Sequence, residues 1–300
     1  MATGVYVAWV TKAAGHLLTP YYVVRVTYGV LLTRKGGEDM ASTTLITGAS
    51  TGIGYELSKC FAADRHNLII VARQEQRLRQ LAEELIKQFG IAVKVVPADL
   101  AQPDAPKKIR DSVHKELLQI DYLVNNAGYG LGGKFTETDL SVELGMMQVN
   151  MMALVALTKL FLPDMLARKS GKIMNVASTA AFQPGPFMAV YYASKSFVLS
   201  FSEAIANELK GTGVTVTALC PGPTASEFQQ RAQIQNTRLV KNKVLGMMTA
   251  EQVAKIGYQG FMRGKRIIIP GLLNKIGVHS TRMTPRAATA QVARMLQEGH

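Results

Sequence analysis

Tyr191 and Lys195 lie four positions apart in the segment YYASK, and Ser178 precedes the tyrosine by thirteen positions. On a helix, residues i and i+4 share one face, so the Lys195 ammonium is expected beside the Tyr191 ring. A neighbouring positive charge favours the phenolate and lowers a phenol pKa that is otherwise about 10. Ser178 would add a second hydroxyl aimed at the same substrate oxygen. The triplet predicts proton transfer, although a Tyr-x-x-x-Lys pair alone is also common on exposed helices.

A glycine-rich turn, TGASTGIG, connects the apolar run at 43–46 to a helical pattern from Tyr55 to Ala63. The first glycine permits a tight turn, the second lets the backbone approach a pyrophosphate, and the third allows close packing of helix on strand. The free N–H groups of the helix N-terminus then face the anion. A second apolar strand at 67–71 favours a dinucleotide site over an ordinary glycine turn. The predicted contacts here are Gly48, Ser50, Thr51, Gly52, Ile53 and Gly54.

The second strand ends in the segment Val71-Ala72-Arg73, at the point where a site for NAD usually carries an acidic residue. Ala72 cannot bind a ribose 2′-hydroxyl, whereas the Arg73 guanidinium suits a 2′-phosphate through two hydrogen bonds. The alternative is a solvated arginine at the start of the next helix. We therefore expect NADP (NADPH) as the cofactor, with NAD less favoured.

Four further segments occur in order along the chain: Asp99-Leu100, Asn125-Asn126-Ala127-Gly128, Val149-Asn150-Met151 and Pro221-Gly222-Pro223-Thr224. With the turn and the triplet, they resemble the short-chain dehydrogenase/reductase family over Met40 to Gly271. The segment from Ile268 to Lys275, with Pro285-Arg286 further on, is also similar to a ketoreductase-like subgroup of the DltE type. The cofactor-binding residues that the resemblance adds are Asp99, Leu100, Asn126, Ala127, Gly128, Pro221, Gly222 and Thr224.

The resemblance implies a catalytic tetrad of Asn150, Ser178, Tyr191 and Lys195. It also implies that Asp99 contacts the adenine and that the loop at 221–224 holds the nicotinamide carboxamide. Lys195 and Tyr191 would contact the cofactor as well. Many NADP-dependent relatives carry a basic residue near the glycine turn, where this chain has Ser50 and Thr51. Arg73 is therefore expected to supply most of the phosphate recognition.

Apolar strands alternate with amphipathic patterns, such as those at 76–89 and 105–118, along most of the chain. This alternation predicts an α/β fold, a single Rossmann-like doubly wound parallel sheet with helices on both faces. The resemblance implies seven strands in the order 3-2-1-4-5-6-7. We expect the reductase domain at residues 40–275, with a variable substrate lid at 224–250. A basic C-terminal tail is expected at 276–300.

Residues 1–39 precede the matching region and contain no acidic residue before Glu38. The apolar stretch from Tyr21 to Leu32 carries Arg25 and is too short to span a bilayer. We expect this extension to be dispensable or poorly ordered. A membrane-surface anchor is the competing interpretation.

The formal net charge is +13, and residues 229–300 hold twelve Lys or Arg against two acidic residues, a net of +10. This excess favours an anionic partner such as a coenzyme-A thioester, an acidic carrier protein or a membrane surface; a solvated basic face explains it equally well. Few aromatic residues lie there, so no nucleic acid is expected. Cys60 and Cys220 form no disulfide framework, which favours a reducing, cytoplasmic location. The histidines have no metal-ligand spacing, and no metal is expected.

The predicted reaction is hydride transfer between a nicotinamide and a carbonyl or secondary alcohol, with Tyr191 as acid and base. Apolar residues in and near the expected lid favour a hydrophobic substrate, for which a ketoacyl thioester is one candidate; the same residues could instead close the core. Family precedent favours a homodimer or homotetramer. The alternative function is a catalytically silent regulator that binds NADP or a membrane surface. The apolar residues are Phe182, Phe187, Met188, Phe228, Leu239, Val240, Val244, Leu245, Met247 and Met248.

Overall fold

The computed structural model describes residues 6–8, 21–26, 29–34, 41–238 and 247–298. Near the N-terminus, three short strands form a separate antiparallel sheet in the order β1-β2-β3: Tyr6–Ala8 (β1), Tyr21–Val26 (β2) and Gly29–Arg34 (β3). The predicted dispensability of this extension is untested and stays a prediction.

The main sheet has seven parallel strands: Thr43–Thr47 (β4), Asn67–Ala72 (β5), Val93–Pro97 (β6), Tyr122–Asn125 (β7), Gly171–Val176 (β8), Val214–Leu219 (β9) and Ile267–Ile268 (β12). They lie in the order β12-β9-β8-β7-β4-β5-β6. Counted from β4 as the first strand, this is the order 3-2-1-4-5-6-7, so the predicted doubly wound sheet is confirmed. A two-stranded parallel sheet beside it joins Thr224–Ala225 (β10) to Met248–Thr249 (β11).

The helices that cover the sheet or extend from it are Gly52–Ala63 (α1), Glu75–Phe89 (α2), Ala105–Lys115 (α3), Leu140–Met147 (α4), Leu154–Arg168 (α5), Ala189–Glu208 (α6), Phe228–Arg231 (α7), Ala250–Met262 (α8), Leu272–Met283 (α9) and Arg286–Gln297 (α10). One turn of π-helix, Gln148–Ala153, joins α4 to α5, and one turn of 3₁₀-helix, Thr179–Phe182, follows β8. The segment expected to be a tail at 276–300 is thus mostly helical.

Successive side chains of a strand point to opposite faces of the sheet, and the core divides accordingly. Ile46 and Ile70 pack under α1, α2 and α8, whereas their neighbours Leu45 and Ile69 pack under α3 and α5. The register aligns Leu45 with Ile69 and Ile46 with Ile70, so each layer is continuous across the strands. Both faces are buried, which explains why the strands are continuous apolar runs.

The continuous helical stretch Leu140–Arg168 is 29 residues long and apolar enough, by length and composition, to cross a membrane. Its inward residues Ala153, Leu157, Phe161 and Met165 belong to the core under α3. These four residues pack into the core beneath the sheet, whereas Leu140, Leu144 and Met152 of the same stretch are exposed.

Phe61 anchors the layer between α1 and α8, and its replacement should be costly. Its ring is fully buried and meets His66, Tyr258 and Phe261 edge-on, with centroids 5.3, 4.8 and 5.9 Å away. We expect Phe61→Ala to lower the free energy of unfolding in urea by about 3–5 kcal/mol, because it removes these contacts and leaves a cavity. The matched control is Phe135→Ala, whose side chain is 67% exposed. The free energy of unfolding of Phe135→Ala should stay within about 0.5 kcal/mol of the wild-type value. Equal losses of unfolding free energy in the two variants would contradict the central place of Phe61 in the core.

Candidate active site

One cavity of about 520 Å³ runs along the carboxyl ends of the parallel strands, where doubly wound folds bind ligands. All but two of the predicted site residues line it: Gly48, Ser50, Thr51, Gly52, Ile53, Arg73, Asp99, Leu100, Asn126, Ala127, Gly128, Ser178, Tyr191, Lys195, Pro221, Gly222 and Thr224. The exceptions are Gly54 and Asn150, which lie behind the lining. Gly54 packs against Gly48, and Asn150 hydrogen-bonds to Tyr129, so both contact residues of the lining.

The floor of the cavity is the turn between β4 and α1. Gly48 has φ +67° and Gly52 has φ +59°, in the left-handed region that favours glycine. A Cβ on Gly54 would lie 2.3 Å from the Gly48 carbonyl oxygen, so this position also requires glycine. Near Gly52 the nearest neighbour of such an atom would be Ser226 Cβ at 3.5 Å. The turn is therefore a close-packed cradle whose backbone is left accessible to a pyrophosphate.

The loop after β7 is bonded to this turn. The Asn126 amide donates to the carbonyl oxygens of Thr47 and Gly48 at 2.9 and 3.2 Å. The backbone N–H groups of Asn126 and Ala127 both donate to the Thr47 hydroxyl at 3.0 Å. This network fixes the two loops relative to each other. The motif at 125–128 therefore shapes the cradle through side-chain bonds that its composition alone does not reveal.

Arg73 and Asp99 line the end of the cavity that lies beyond β5 and β6. Asp99 caps its own turn, since its carboxylate accepts from the backbone N–H of Ala101 at 3.0 Å. The positive charge of Arg73 lowers the pKa of the Tyr129 phenol and Asp99 raises it, while burial has the largest effect and leaves that pKa raised. Both groups thus lie close enough to Tyr129 to affect its pKa, at one end of the cavity.

The triplet comes together at the other end of the cavity. Tyr191 and Lys195 lie on the buried face of α6, with Nζ 5.8 Å from the Tyr191 ring centroid. Ser178 caps the 3₁₀ turn after β8, where its hydroxyl accepts from the backbone N–H of Ala180 at 3.1 Å. The same hydroxyl donates to the Pro221 carbonyl oxygen at 3.4 Å and is close enough to Tyr191 to act to lower its pKa. The structure therefore places two hydroxyls and an ammonium around one point.

Burial dominates the electrostatics of this cluster. It raises the pKa of Tyr191, and Ser178 offsets only part of that effect. Burial also lowers the pKa of Lys195 to about 8. The expectation that Lys195 lowers the pKa of Tyr191 is therefore wrong for this structure. The physical reason is that the ammonium donates to the Val176 carbonyl oxygen at 2.9 Å, while the phenol loses its hydration.

Asn150 lies within the π-helical turn, a feature that often marks functional sites. Its amide donates to the carbonyl oxygen of Tyr129 at 3.0 Å and to the Ser194 hydroxyl at 3.0 Å, and its Oδ1 accepts from the Tyr129 backbone at 3.1 Å. A Cβ on Gly128 would lie 3.0 Å from Asn150 Oδ1 and 3.3 Å from Lys195 Nζ. Asn150 is thus behind Lys195 and holds the loop that carries Gly128.

The expected lid begins at β10 and is described for residues 224–238 and 247–250. Phe228 contacts the Tyr191 ring with centroids 5.4 Å apart, and Met188 packs with both. Phe182 packs instead between α6 and β9, and Met248 packs against the core. Leu239, Val240, Val244 and Leu245 lie outside the described residues.

Three residues of α10 also line the cavity: Ala293, Leu296 and Gln297. The sequence reasoning missed them because this segment was expected to be a basic tail. An amphipathic signal was present, since Thr289, Ala293 and Gln297 recur at intervals of four and are all buried. Tyr192, expected to be a pocket or packing residue, also lines the cavity, and its hydroxyl accepts a hydrogen bond from Gln297 at 3.0 Å.

Comparison with known proteins identifies the family of this chain. The family model for short chain dehydrogenases matches residues 42–237, and the chain belongs to that family. It is 32% identical over 212 residues to the ketoacyl reductase HetN of Nostoc, covering 71% of this chain and 72% of the relative. It is 33% identical over 199 residues to a very-long-chain 3-oxoacyl-CoA reductase of Anas platyrhynchos, covering 65% of this chain and 63% of the relative.

Among solved structures, the fold is similar to a short-chain dehydrogenase from Sphingobium yanoikuyae in complex with NADPH. The TM-score is 0.72 at 30% identity, over 81% of this chain and 94% of that one. With several curated relatives, the match spans only about three fifths of their length, as with the 63% for the reductase of Anas platyrhynchos. The family and the cradle together define a nicotinamide dinucleotide site.

Lys195 should leave a signature in the pH dependence of stability. Its pKa is about 8 in the folded protein, below the ordinary lysine value of 10.5. Between these values the unfolded chain binds more protons, so stability should rise with pH across this window. The free energy of unfolding of the wild type, measured in urea from pH 8 to pH 10.5, should rise relative to Lys195→Met by about 3 kcal/mol. Parallel curves for the two proteins would show that the lysine is not buried as described.

Proposed function

We propose that this protein is an NADPH-dependent oxidoreductase that reduces the carbonyl group of a hydrophobic substrate. The observation that carries the proposal is the convergence of Ser178, Tyr191 and Lys195 in the cavity that the glycine cradle opens into. When bound, the nicotinamide exchanges a hydride with the carbonyl carbon. The residues of this chain position the substrate oxygen and supply the proton.

Tyr191 is the proton donor in this mechanism. Because burial raises its pKa, the phenol holds its proton at neutral pH and can pass it to a substrate oxygen that gains negative charge. The Ser178 hydroxyl, close enough to lower that pKa in part, would stabilise the negative charge that develops on the substrate oxygen. These two points favour the reductive direction.

Lys195 holds a positive charge near the phenol, on the face of α6 that points into the cavity. With a pKa of about 8, the ammonium is mostly protonated at neutral pH but can exchange its proton. Asn150 would steady this arrangement through its bonds to Tyr129 and Ser194. The pair of Lys195 and Asn150 is thus assigned to returning a proton to Tyr191.

For the substrate, the wall beside Tyr191 supports a hydrophobic carbonyl compound. Met188, Phe228 and Ile234 line it, and the Phe228 ring lies against the tyrosine. Two of the relatives carry names of ketoacyl and 3-oxoacyl-CoA reductases, which supports a ketoacyl thioester as one candidate. The basic C-terminal region would favour such an anionic carrier.

We also propose a homodimer or homotetramer. The supporting observation is a set of exposed apolar side chains on α4, the π-turn and α6, which such an interface would bury: Leu140, Leu144, Met152 and Phe197. The two unpaired cysteines, Cys60 and Cys220, support a reducing, cytoplasmic location.

The alternative, a catalytically silent NADP-binding regulator, is less well supported. All four residues of the tetrad are present, and two of them, Tyr191 and Lys195, are buried ionisable groups with perturbed pKa values. Such groups are costly to keep where no chemistry uses them. The basic C-terminal surface still leaves a membrane-associated role open to test by vesicle binding.

Tyr191→Phe tests the chemistry. Removing the hydroxyl should lower kcat by about 100-fold or more, because general acid catalysis contributes that much, while NADPH binding should persist. The measurements are NADPH oxidation with a panel of ketones and aldehydes, and NADPH titration by fluorescence. Tyr122→Phe is the matched control, since this tyrosine lies in β7 within the core away from the cavity. Full turnover by Tyr191→Phe would defeat the assignment.

Arg73→Asp tests the cofactor preference. If the guanidinium binds the 2′-phosphate, the ratio of kcat/KM for NADPH to that for NADH should fall by about tenfold or more, as expected for a lost charge-assisted bond. Arg79→Asp on α2 is a control, because Arg79 is absent from the cavity lining and pairs with Glu75. An unchanged ratio in Arg73→Asp would show that the preference has another origin.

A further inference from the structure

A pair of polar side chains interrupts the otherwise apolar wall that faces Tyr191. Tyr192 and Gln297 both line the cavity, and both are more than nine-tenths buried. The neighbouring wall consists of Met188, Phe228, Ile234, Ala293 and Leu296. None of the steps proposed for the reduction uses this polar pair.

Gln297 is held in place by the docking of α10. Ala293, on the same face of the helix, is 1% exposed. Arg294 lies over the Phe187 ring at 5.5 Å, and the backbone N–H of Arg238 donates to the Glu298 carbonyl oxygen at 3.4 Å. These contacts join the helix to the loop before α6 and to the lid. The amide of Gln297 is therefore positioned by three separate elements.

Tyr192 is equally constrained. A Cβ on Gly185 would lie 2.2 Å from Tyr192 Cγ, so the ring packs directly on that backbone. The ring meets Tyr191 edge-on, with centroids 6.0 Å apart and planes at 77°. Its hydroxyl accepts from Gln297 Nε2 at 3.0 Å. The Tyr192 ring of the polar pair thus lies directly against the ring of Tyr191, the proposed proton donor.

Both members of the pair retain hydrogen-bonding capacity. Gln297 Oε1 is buried and has no hydrogen-bond partner within the described part of the chain. The Tyr192 oxygen already accepts the amide hydrogen, so its own hydrogen is available to a second acceptor. An unpaired buried polar atom weakens binding by about tenfold. A ligand that satisfies both capacities would therefore be selected over one that cannot.

We propose that Tyr192 and Gln297 form a polar subsite that recognises a hydroxyl group on an otherwise apolar ketone. A hydroxyl donates one hydrogen bond and accepts others, so it complements an amide oxygen and a phenol hydrogen together. A plain alkyl ketone would leave Oε1 unpaired. The inference rests on the proposed function, since it names the substrate class of the same site.

The experiment compares a series of linear methyl ketones of increasing length with their ω-hydroxy counterparts, using NADPH oxidation to obtain kcat/KM. At the chain length that places the hydroxyl at the subsite, the wild type should prefer the hydroxy ketone by about tenfold, the effect of satisfying one buried polar atom. Gln297→Met and Tyr192→Phe should each bring that ratio close to one. The double variant should lose little more, because the two residues act as one unit.

Gln291→Met is the matched control, because Gln291 lies on the exposed side of the same helix. It should keep both the activity and the ratio. If the wild type reduces plain ketones but prefers the hydroxy compound at no length, or if the variants keep the wild-type ratio, the subsite is overturned while the reductase assignment stands. If the wild type reduces no ketone in either series, the reductase assignment falls and the subsite with it.

Discussion

The cavity depends on one close contact, between the turn after β4 and the loop after β7. Asn126 donates to the carbonyl oxygens of Thr47 and Gly48, and a Cβ on either Gly48 or Gly54 would lie within 3 Å of the Asn126 amide nitrogen. The contact exists because two glycines leave room for it. It joins the cradle that suits a pyrophosphate to the loop that carries Gly128, which lies next to Lys195. A single glycine-dependent contact therefore joins the cradle to the end of the cavity that holds Lys195.

The second constraint is burial of charge. Tyr191 and Lys195 are one turn apart on α6, and the sheet and the lid exclude water from both. Exclusion favours the neutral form of each group, which raises the pKa of the phenol and lowers that of the amine. A protonated phenol beside an amine that exchanges readily is suited to delivering a proton and then regaining it. Burial of Tyr191 and Lys195, more than their four-residue spacing, sets their pKa values.

The substrate end of the cavity is built by elements distant in sequence. Phe228 comes from the start of the lid, Tyr192 from α6 and Gln297 from the last described helix. Local reasoning identified Phe228, which follows the motif at 221–224, and Met188, which lies three positions before Tyr191, as candidate pocket residues. The excess of Lys and Arg led to the expectation of a solvated or partner-binding C-terminal tail. A count of charges does not detect the helical recurrence of Thr289, Ala293 and Gln297, which places these three residues on the buried face of a basic helix.

The sequence by itself determined the alternation of strands and helices, the glycine cradle and the spacing of Ser178, Tyr191 and Lys195, whereas the strand order and Asn150 followed from the family resemblance. The first three features depend on short motifs, local spacing and alternation, which each segment carries without its neighbours. Only the tertiary structure decided the direction in which the pKa of Tyr191 shifts, the bonding of Asn150 to Tyr129, and the place of α10 at the cavity. Those properties arise from desolvation and from contacts between residues distant in sequence, 21 positions apart for Asn150 and Tyr129 and 105 for Tyr192 and Gln297. No local pattern encodes how much water a side chain loses when such segments meet.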